Sequence, residues 1–337
     1  MSSSPTFAEA TKVWARIGCL SFGGPAGQIA LMHREIVDER KWLNEQQFLS
    51  ALNFCMLLPG PEAMQLATYA GWRLHGVRGG LVAGLLFVLP GALVVLALSM
   101  LYAAFGNLPW IEAIFFGVKA AVLAIVIEAL LRVARRALKG NVDWLIAGVA
   151  FLALYCFDVP FPLIIIAAGL VGFFRGSAAN TTPATAHPSY TALVSTVATW
   201  AAIWLVPLAF LAITLGTDHV LTKIGIFFSQ LAVVTFGGAY AVLSYMAQAA
   251  VEQHGWLTAP EMIDGLALAE TTPGPLILVT QFVGYLAALR GMSSIWGGLA
   301  GAAITLWMTF APCFLWIFAG APYIEHISRM PRLSGAL

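Results

Sequence analysis

Pro59-Gly60-Pro61 lies midway through an apolar stretch, and Pro273-Gly274-Pro275 does the same later in the chain. A proline there removes a backbone donor and clashes with the preceding turn, so the helix stops. Gly60 and Gly274 supply dihedrals closed to most residues, and Pro61 and Pro275 suit the first position of a new helix. A half-helix that begins inside a membrane presents its first amides unpaired, with roughly half a positive charge from the helix dipole behind them. Such an end attracts an anion. Gly23-Gly24-Pro25 is a second break of this kind, and Gly237-Gly238 echoes it without the proline. The pattern predicts four half-helix starts converging near the midplane, enough to hold an oxyanion without an arginine cage.

Ionisable residues within apolar stretches are the next signal. Arg16 precedes the first Gly-Gly on the same stretch, and Lys119 lies on another. Each would draw a dianion; the plainer alternatives are a snorkelling Arg16 and an internally paired Lys119. Glu62, Glu128 and Glu270 are candidates for proton coupling, since a carboxylate beside an arriving anion is driven to take up a proton. Glu62 follows Pro61 directly, where a carboxylate also suits the helix dipole. Gln65, Thr68 and Tyr69 follow the first Pro-Gly-Pro, and Thr280 and Gln281 the second. They offer hydrogen bonds to an oxyanion, or bonds between helices; Asn53 and Ser21 are similar. Trp42 and Trp256, each after a polar loop, read as interface anchors.

Other chemistry is not spelled. The six His are dispersed, and Cys19, Cys55, Cys156 and Cys313 form no CxxC, so no metal site is expected. Each Cys sits in an apolar stretch and reads as a small buried core residue. No nucleophile elbow, Walker sequence or dinucleotide fingerprint occurs, so neither a cofactor nor an enzyme is expected. A net charge of +1 with no basic stripe points away from nucleic acid.

These residues need membrane helices to position them. Hydrophobic residues make up 60% of the 337-residue chain and charged residues 10%, against roughly 25% charged in soluble domains. The fold class expected is all-α and polytopic, with about ten stretches near the spanning length of about 20 residues. They fall at 9–32, 46–74, 79–105, 111–131, 142–157, 160–175, 190–215, 220–247, 260–289 and 294–320. No cleavable signal peptide is visible.

The chain also repeats itself. Phe22-Gly23-Gly24, Trp42-Leu43 and Pro59-Gly60-Pro61 recur 214 positions later as Phe236-Gly237-Gly238, Trp256-Leu257 and Pro273-Gly274-Pro275. Paired helix breaks in corresponding positions of two halves point to a transport site. The halves expected are 1–176 and 190–337, joined by a polar linker, 177–189. If 46–74 is one broken span, the copies lie antiparallel; if it is a re-entrant hairpin, they lie parallel. Arg34, Arg40 and Lys41 favour the hairpin, and Arg329 and Arg332 the broken span. The antiparallel arrangement is preferred. Leu108-Pro109-Trp110-Ile111-Glu112 resembles Ala321-Pro322-Tyr323-Ile324-Glu325, yet no counterpart of the helix at 115–131 follows the second copy.

At these residues the chain resembles the chromate ion transporter family. The carrying stretches are SFGGPAGQIALMHREIVDERKWL (21–43), LLPGPEAMQLATYAGWRLHG (57–76), FFGVKAAVLAIV (115–126), TFGGAYAVLSYM (235–246) and TPGPLILVTQFVGYLAALRG (272–291). The resemblance implies an exporter of chromate in the bacterial inner membrane that confers chromate resistance. It implies a proton-driven cycle, sulfate as a competing analogue, and tandem halves in opposite orientations. Ala239 replaces the proline expected after the second Gly-Gly. The same-class alternative is a carrier of sulfate or another oxyanion. The oligomeric state is open, a homodimer included.

Overall fold

The computed structural model describes residues 5–22, 24–106, 140–157, 190–236 and 239–324, with isolated positions between 117 and 171. All regular structure among the described residues is helical. The first series runs α1 (Phe7–Leu20), α2 (Gly24–His33), a π-helical turn (Arg34–Glu39), α3 (Glu45–Leu57) and α4 (Glu62–Phe105). Then come α5 (Asn141–Phe157) and α6 (Tyr190–Leu215). The second series runs α7 (Val220–Val234), α8 (Ala239–Gln248), a π-helical turn (Ala249–Gln253) and α9 (Ala259–Thr271). It closes with a 3₁₀ turn (Leu276–Leu278), α10 (Val279–Met292) and α11 (Ile295–Gly320).

Local signals place equivalent elements at one offset. Asn44 caps α3 in a reciprocal box with Gln47, and Thr258 caps α9 in the same box with Glu261. After each π turn, two successive amides share one carbonyl. Trp42 and Leu43 donate to the oxygen of Ile36, and Trp256 and Leu257 to that of Ala250.

The long α4 is two rods. His75 and Gly76 leave helical geometry, Gly76 at φ 63°, and the chain doubles back. A Cβ on Gly84 would lie 2.4 Å from Oγ1 of Thr68, and one on Gly71 would lie 2.4 Å from the oxygen of Gly79. In a straight helix residues 68 and 84 would be about 24 Å apart. α10 and α11 form a like hairpin, in which a Cβ on Gly301 would lie 2.3 Å from the oxygen of Gly284. Small residues at these seams let the backbones touch.

The breaks before them also turn the chain back. Nε of Arg16 on α1 lies 3.6 Å from Oε1 of Glu35, whereas nineteen residues of straight helix would span about 28 Å. So α2 returns along α1. Phe54 of α3 packs on Gly320, while Gly60 meets Cys313 two turns earlier in α11. α3 therefore runs counter to α11. Residues 77–105 do so too, with Gly80 against Phe318 and Gly84 against Phe314. Residues 62–74 run the other way, which makes Pro59-Gly60-Pro61 the tip of a hairpin. In the second series Glu261 pairs with Arg290 and Gly265 packs on Phe282, so α9 and α10 form a hairpin around Pro273-Gly274-Pro275.

A hairpin at 46–74 leaves the copies parallel only if 9–32 crosses once, and 9–32 folds back as well. The long segments 77–105 and α11 run in opposite directions.

Among the described residues, three helical segments are long and apolar enough to cross a membrane by length and composition: Glu62–Phe105, Tyr190–Leu215 and Ile295–Tyr323. α6 presents Val206, Phe210 and Ile213 outward, the last 84% exposed, as a lipid-facing helix does. The core lies where α1, α4, α10 and α11 meet, around Trp14, Phe87, Phe282 and Tyr285.

Candidate functional site

The two Pro-Gly-Pro tips meet the opposite series through backbone. The amide of Gly60 donates to the oxygen of Thr235 at 2.7 Å, and the amide of Gly274 donates to the oxygen of Ser21 at 2.8 Å. Ser21 and Thr235 hold the same place in the repeat, as do Gly60 and Gly274. The contact is therefore self-complementary, of the kind a two-fold relation produces. The tips also rest beside a proline of a long helix, though not at matching places in the repeat, since Gly91 corresponds to Thr305 and Cys313 to Ser99. Gly60 lies against Cys313, which follows Pro312, and Gly274 lies against Gly91, which follows Pro90. A Cβ on Gly91 would fall 2.1 Å from the oxygen of Pro273, so only glycine admits that approach.

Positive φ explains the tip glycines, +117° at Gly60 and +94° at Gly274. Side-chain amides secure the tips. Nε2 of Gln65 donates to the oxygen of Pro59 at 2.7 Å, and Nε2 of Gln28 donates to the oxygen of Gly274 at 2.7 Å. Gln28 was not singled out from sequence. Its counterpart is Val242, and a lone glutamine in an apolar stretch of one copy was the only available signal.

These bonds correct one expectation. The amides of Gly60 and Gly274 are not bare, because the other series' carbonyls take them. The Glu62 amide meets its own carboxylate, so the donors left to an anion are those of the helix starts that follow, at Ala63 and Met64 of α4 and at the beginning of α2. The second tip is followed by the buried 3₁₀ turn before α10 starts, so the two tips are unequal. Pro61, Glu62, Gly24 and Pro25 are partly exposed, as is Pro273, while Pro59, Gly60, Gly274 and Pro275 are buried.

The remaining predicted residues fall as follows. Arg16 is 56% exposed and ion-paired with Glu35, which is fully buried and also holds Arg40 through Nη1. Its charge is thus partly spent on Glu35, a carboxylate that hydropathy reading passed over. Glu62 opens α4, and Glu270 lies near the end of α9, one turn before the second tip. The hydroxyls of Thr68 and Thr280 bond to Met64 and Ile277 of their own turns, so neither is aimed at a ligand. Gly23, Gly237, Gly238, Lys119 and Glu128 lie outside the described residues.

Cys55 and Cys313 are buried, but Cys19 and Cys156 are exposed, contrary to the expectation that all four are core. Their stretches face outward there. Trp256 is also more than an anchor: it is 9% exposed and stacks on His254 with ring centroids 4.2 Å apart. Trp42 instead lies under the Arg40 guanidinium at 5.8 Å.

At the loop ends the charges are paired. Arg290 holds the Glu261 carboxyl down at about 2, and Glu45, with Asp38, raises the His33 imidazole above its usual value. Among the described residues no group of His, Cys, Asp and Glu could hold a metal ion.

The fold and its junction define an all-α, polytopic membrane protein with interrupted helices meeting in its interior. The family model described as chromate transporter matches residues 8–173 and 222–337, and the chain belongs to that family. A probable chromate transport protein of Synechococcus elongatus is 31% identical over 326 residues, 97% of this chain and 78% of its own length. A chromate transport protein of Pseudomonas aeruginosa is 36% identical over 332 residues, 96% of this chain and 74% of its own. An uncharacterized transporter of Bacillus subtilis is 30% identical over 157 residues, 45% of this chain but 88% of its own length. No solved structure matches.

Proposed function

We propose that this chain is a secondary transporter that exports chromate across the bacterial inner membrane and thereby confers chromate resistance. The halves 1–176 and 190–337 are the moving units of an inverted repeat, joined by the linker 177–189. The observation that carries the reading is the reciprocal pair of backbone bonds, Gly60 to Thr235 and Gly274 to Ser21. It supports a single junction formed by both tips and the turn residues that precede both Gly-Gly breaks. Relative rocking of two such halves exposes a midplane site to each side in turn.

Family membership and the names of the relatives support chromate as the anion. Amides of the helix starts supply the attraction, with Gly24, Pro25, Pro61 and Gln65 around them and Arg16 on the approach. Gly23, Gly237, Gly238 and Lys119 belong to the same proposed set. The match to a protein of about half this length supports the division into halves.

Orientation follows from charge. Lys12, Arg34, Arg40, Lys41, Arg73 and Arg78 lie on hairpins and turns that open toward the face shared by Pro5 and His75, which are hydrogen-bonded. Lys223 and Arg290 lie toward the other face, near Val220 and Gly291, which touch. Basic residues gather on the cytoplasmic side, so the first half's hairpins open inward and the second half's outward. Export from a negative interior is then favoured by about 2.3 kcal/mol per charge per 100 mV. Proton uptake through Glu62, with Glu128 and Glu270, would add the pH gradient.

Sulfate has the same shape, and helix-end amides offer little to tell the two apart. A sulfate carrier that takes chromate as an analogue is the second reading.

The test is flux from proteoliposomes loaded with chromate, at a set potential and pH difference. The proposal expects release well above protein-free vesicles, faster with the interior negative and faster again with the outside acid. Release no faster than from empty vesicles under any gradient contradicts it. Faster sulfate than chromate flux selects the second reading.

A further inference from the structure

Hydrogen-bond acceptors crowd the first Pro-Gly-Pro tip. Gln65 is fully buried there. Its nitrogen is fixed by the 2.7 Å bond to Pro59, which identifies the other end of the amide as oxygen. That Oε1 is buried with no partner among the described residues. The carboxylate of Glu62 stands at the same helix start. No described lysine or arginine forms an ion pair with it, and Arg16 is engaged with Glu35. Across the junction, Cys313 lies against Gly60 and donates to the oxygen of Thr309 at 3.5 Å. The buried hydroxyl of Thr309, one turn earlier in α11, also has no partner among the described residues. Beyond the second tip Oε1 of Gln281 is buried and unpartnered too.

A buried acceptor without a donor costs about 1–3 kcal/mol. A ligand that supplies an O–H removes that cost, and a bare dianion does not. A dianion also brings two negative charges beside Glu62, whereas a monoprotonated oxyanion brings one. The amides of Gly60 and Gly274, which would have favoured the dianion, are already taken. Building on the function proposed above, we infer that the junction takes its oxyanion in the monoprotonated form. The acid O–H donates to Oε1 of Gln65. The other oxygens accept from the first amides of α4 and from the Thr309 hydroxyl. Gln65 is then the residue that reads the proton on the substrate, and hydrogen chromate, not chromate dianion, is the bound species.

Among the described residues, the titratable groups around Gln65 are Glu62 on α4, Cys55 on α3 and Cys313 on α11; Thr235, at the end of α7, presents a backbone carbonyl. Their own titration would affect any anion, so the experiment compares two. Binding is measured by calorimetry on the purified full chain in detergent, where no gradient acts, with chromate and with sulfate across the neutral range. Sulfate carries no proton there. The inference expects the chromate Kd to weaken by about tenfold per pH unit once hydrogen chromate ionises. It expects sulfate to bind at least about tenfold more weakly, with a flat profile. Gln65→Met removes the acceptor and should flatten the chromate profile toward that of sulfate. Parallel profiles for the two anions in the wild type overturn the inference, and that comparison needs no variant to fold. A Gln65→Met protein that keeps the chromate slope also overturns it, and assigns Oε1 to an ordered water. If neither anion binds at any pH, the site assignment beneath it falls as well.

Discussion

Gly60 carries three demands at once: a φ of +117°, an amide aimed at Thr235, and a Cβ position 2.8 Å from Sγ of Cys313. Gly60→Ala should therefore destabilise the protein by about 1–3 kcal/mol through backbone strain, with the sulfur contact added. Thermal unfolding in detergent checks this. Adding Cys313→Gly should recover the steric part only, and a Gly60→Ala protein as stable as the wild type would remove the claim. His33 gives a second prediction. Its ring faces Glu45 at 2.7 Å and Asp38 at 3.2 Å, and chiefly the bond to Glu45 raises its pKa. A raised folded pKa gives stability that is fully present below the ordinary value of about 6.5 and lost as pH rises through the folded value. Melting temperature should fall as pH rises from about 6 to 8, and His33→Gln should flatten that trend. At this scale the prolines and glycines were legible in the sequence because they act on backbone whatever surrounds them. Gln28, Glu35 and Thr309 were not, because their importance comes from the tertiary contacts that bury them, Gln28 on Gly274 and Glu35 between Arg16 and Arg40, or from the absence of a partner.

Among the elements, the hairpins were the hardest to read. Hydropathy registers 9–32 and 46–74 as apolar stretches of spanning length, and it cannot distinguish a rod that continues from one that turns back. What distinguishes them is long-range: Glu35 reaching Arg16, and Phe54 reaching Gly320. The caps were legible in kind, since Asn44 with Gln47 and Thr258 with Glu261 are capping boxes in sequence. Arg40 ties the turn after α2 to buried Glu35. Arg40→Met leaves that carboxylate with only the longer Arg16 contact and should cost on the order of 3 kcal/mol. A Glu35→Gln, Arg40→Met double variant should recover much of it, and equal stability of single variant and wild type would show that Glu35 is not held as described.

For the whole molecule, hairpins in both series let the charge pattern make sense. With 9–32 as a single crossing, Arg34, Arg40 and Lys41 favour one topology and Arg329 and Arg332 another. With both early stretches turned back, segment 77–105 and α11 run oppositely and the first series' basic residues gather on one face. Introduced cysteines at Lys41 and at Arg78 should react only with a thiol reagent that reaches the cytoplasmic side, and one at Glu252 only with a reagent added outside. The central claim is narrower: an oxyanion sits where the two tips meet the opposite halves. Chromium anomalous diffraction from crystals grown with chromate tests it most directly. The account predicts a peak about 4 Å from the first amides of α4 and the side chain of Gln65, one Cr–O bond beyond hydrogen-bond distance. A peak elsewhere in the protein, with this junction empty at saturating chromate, would contradict it.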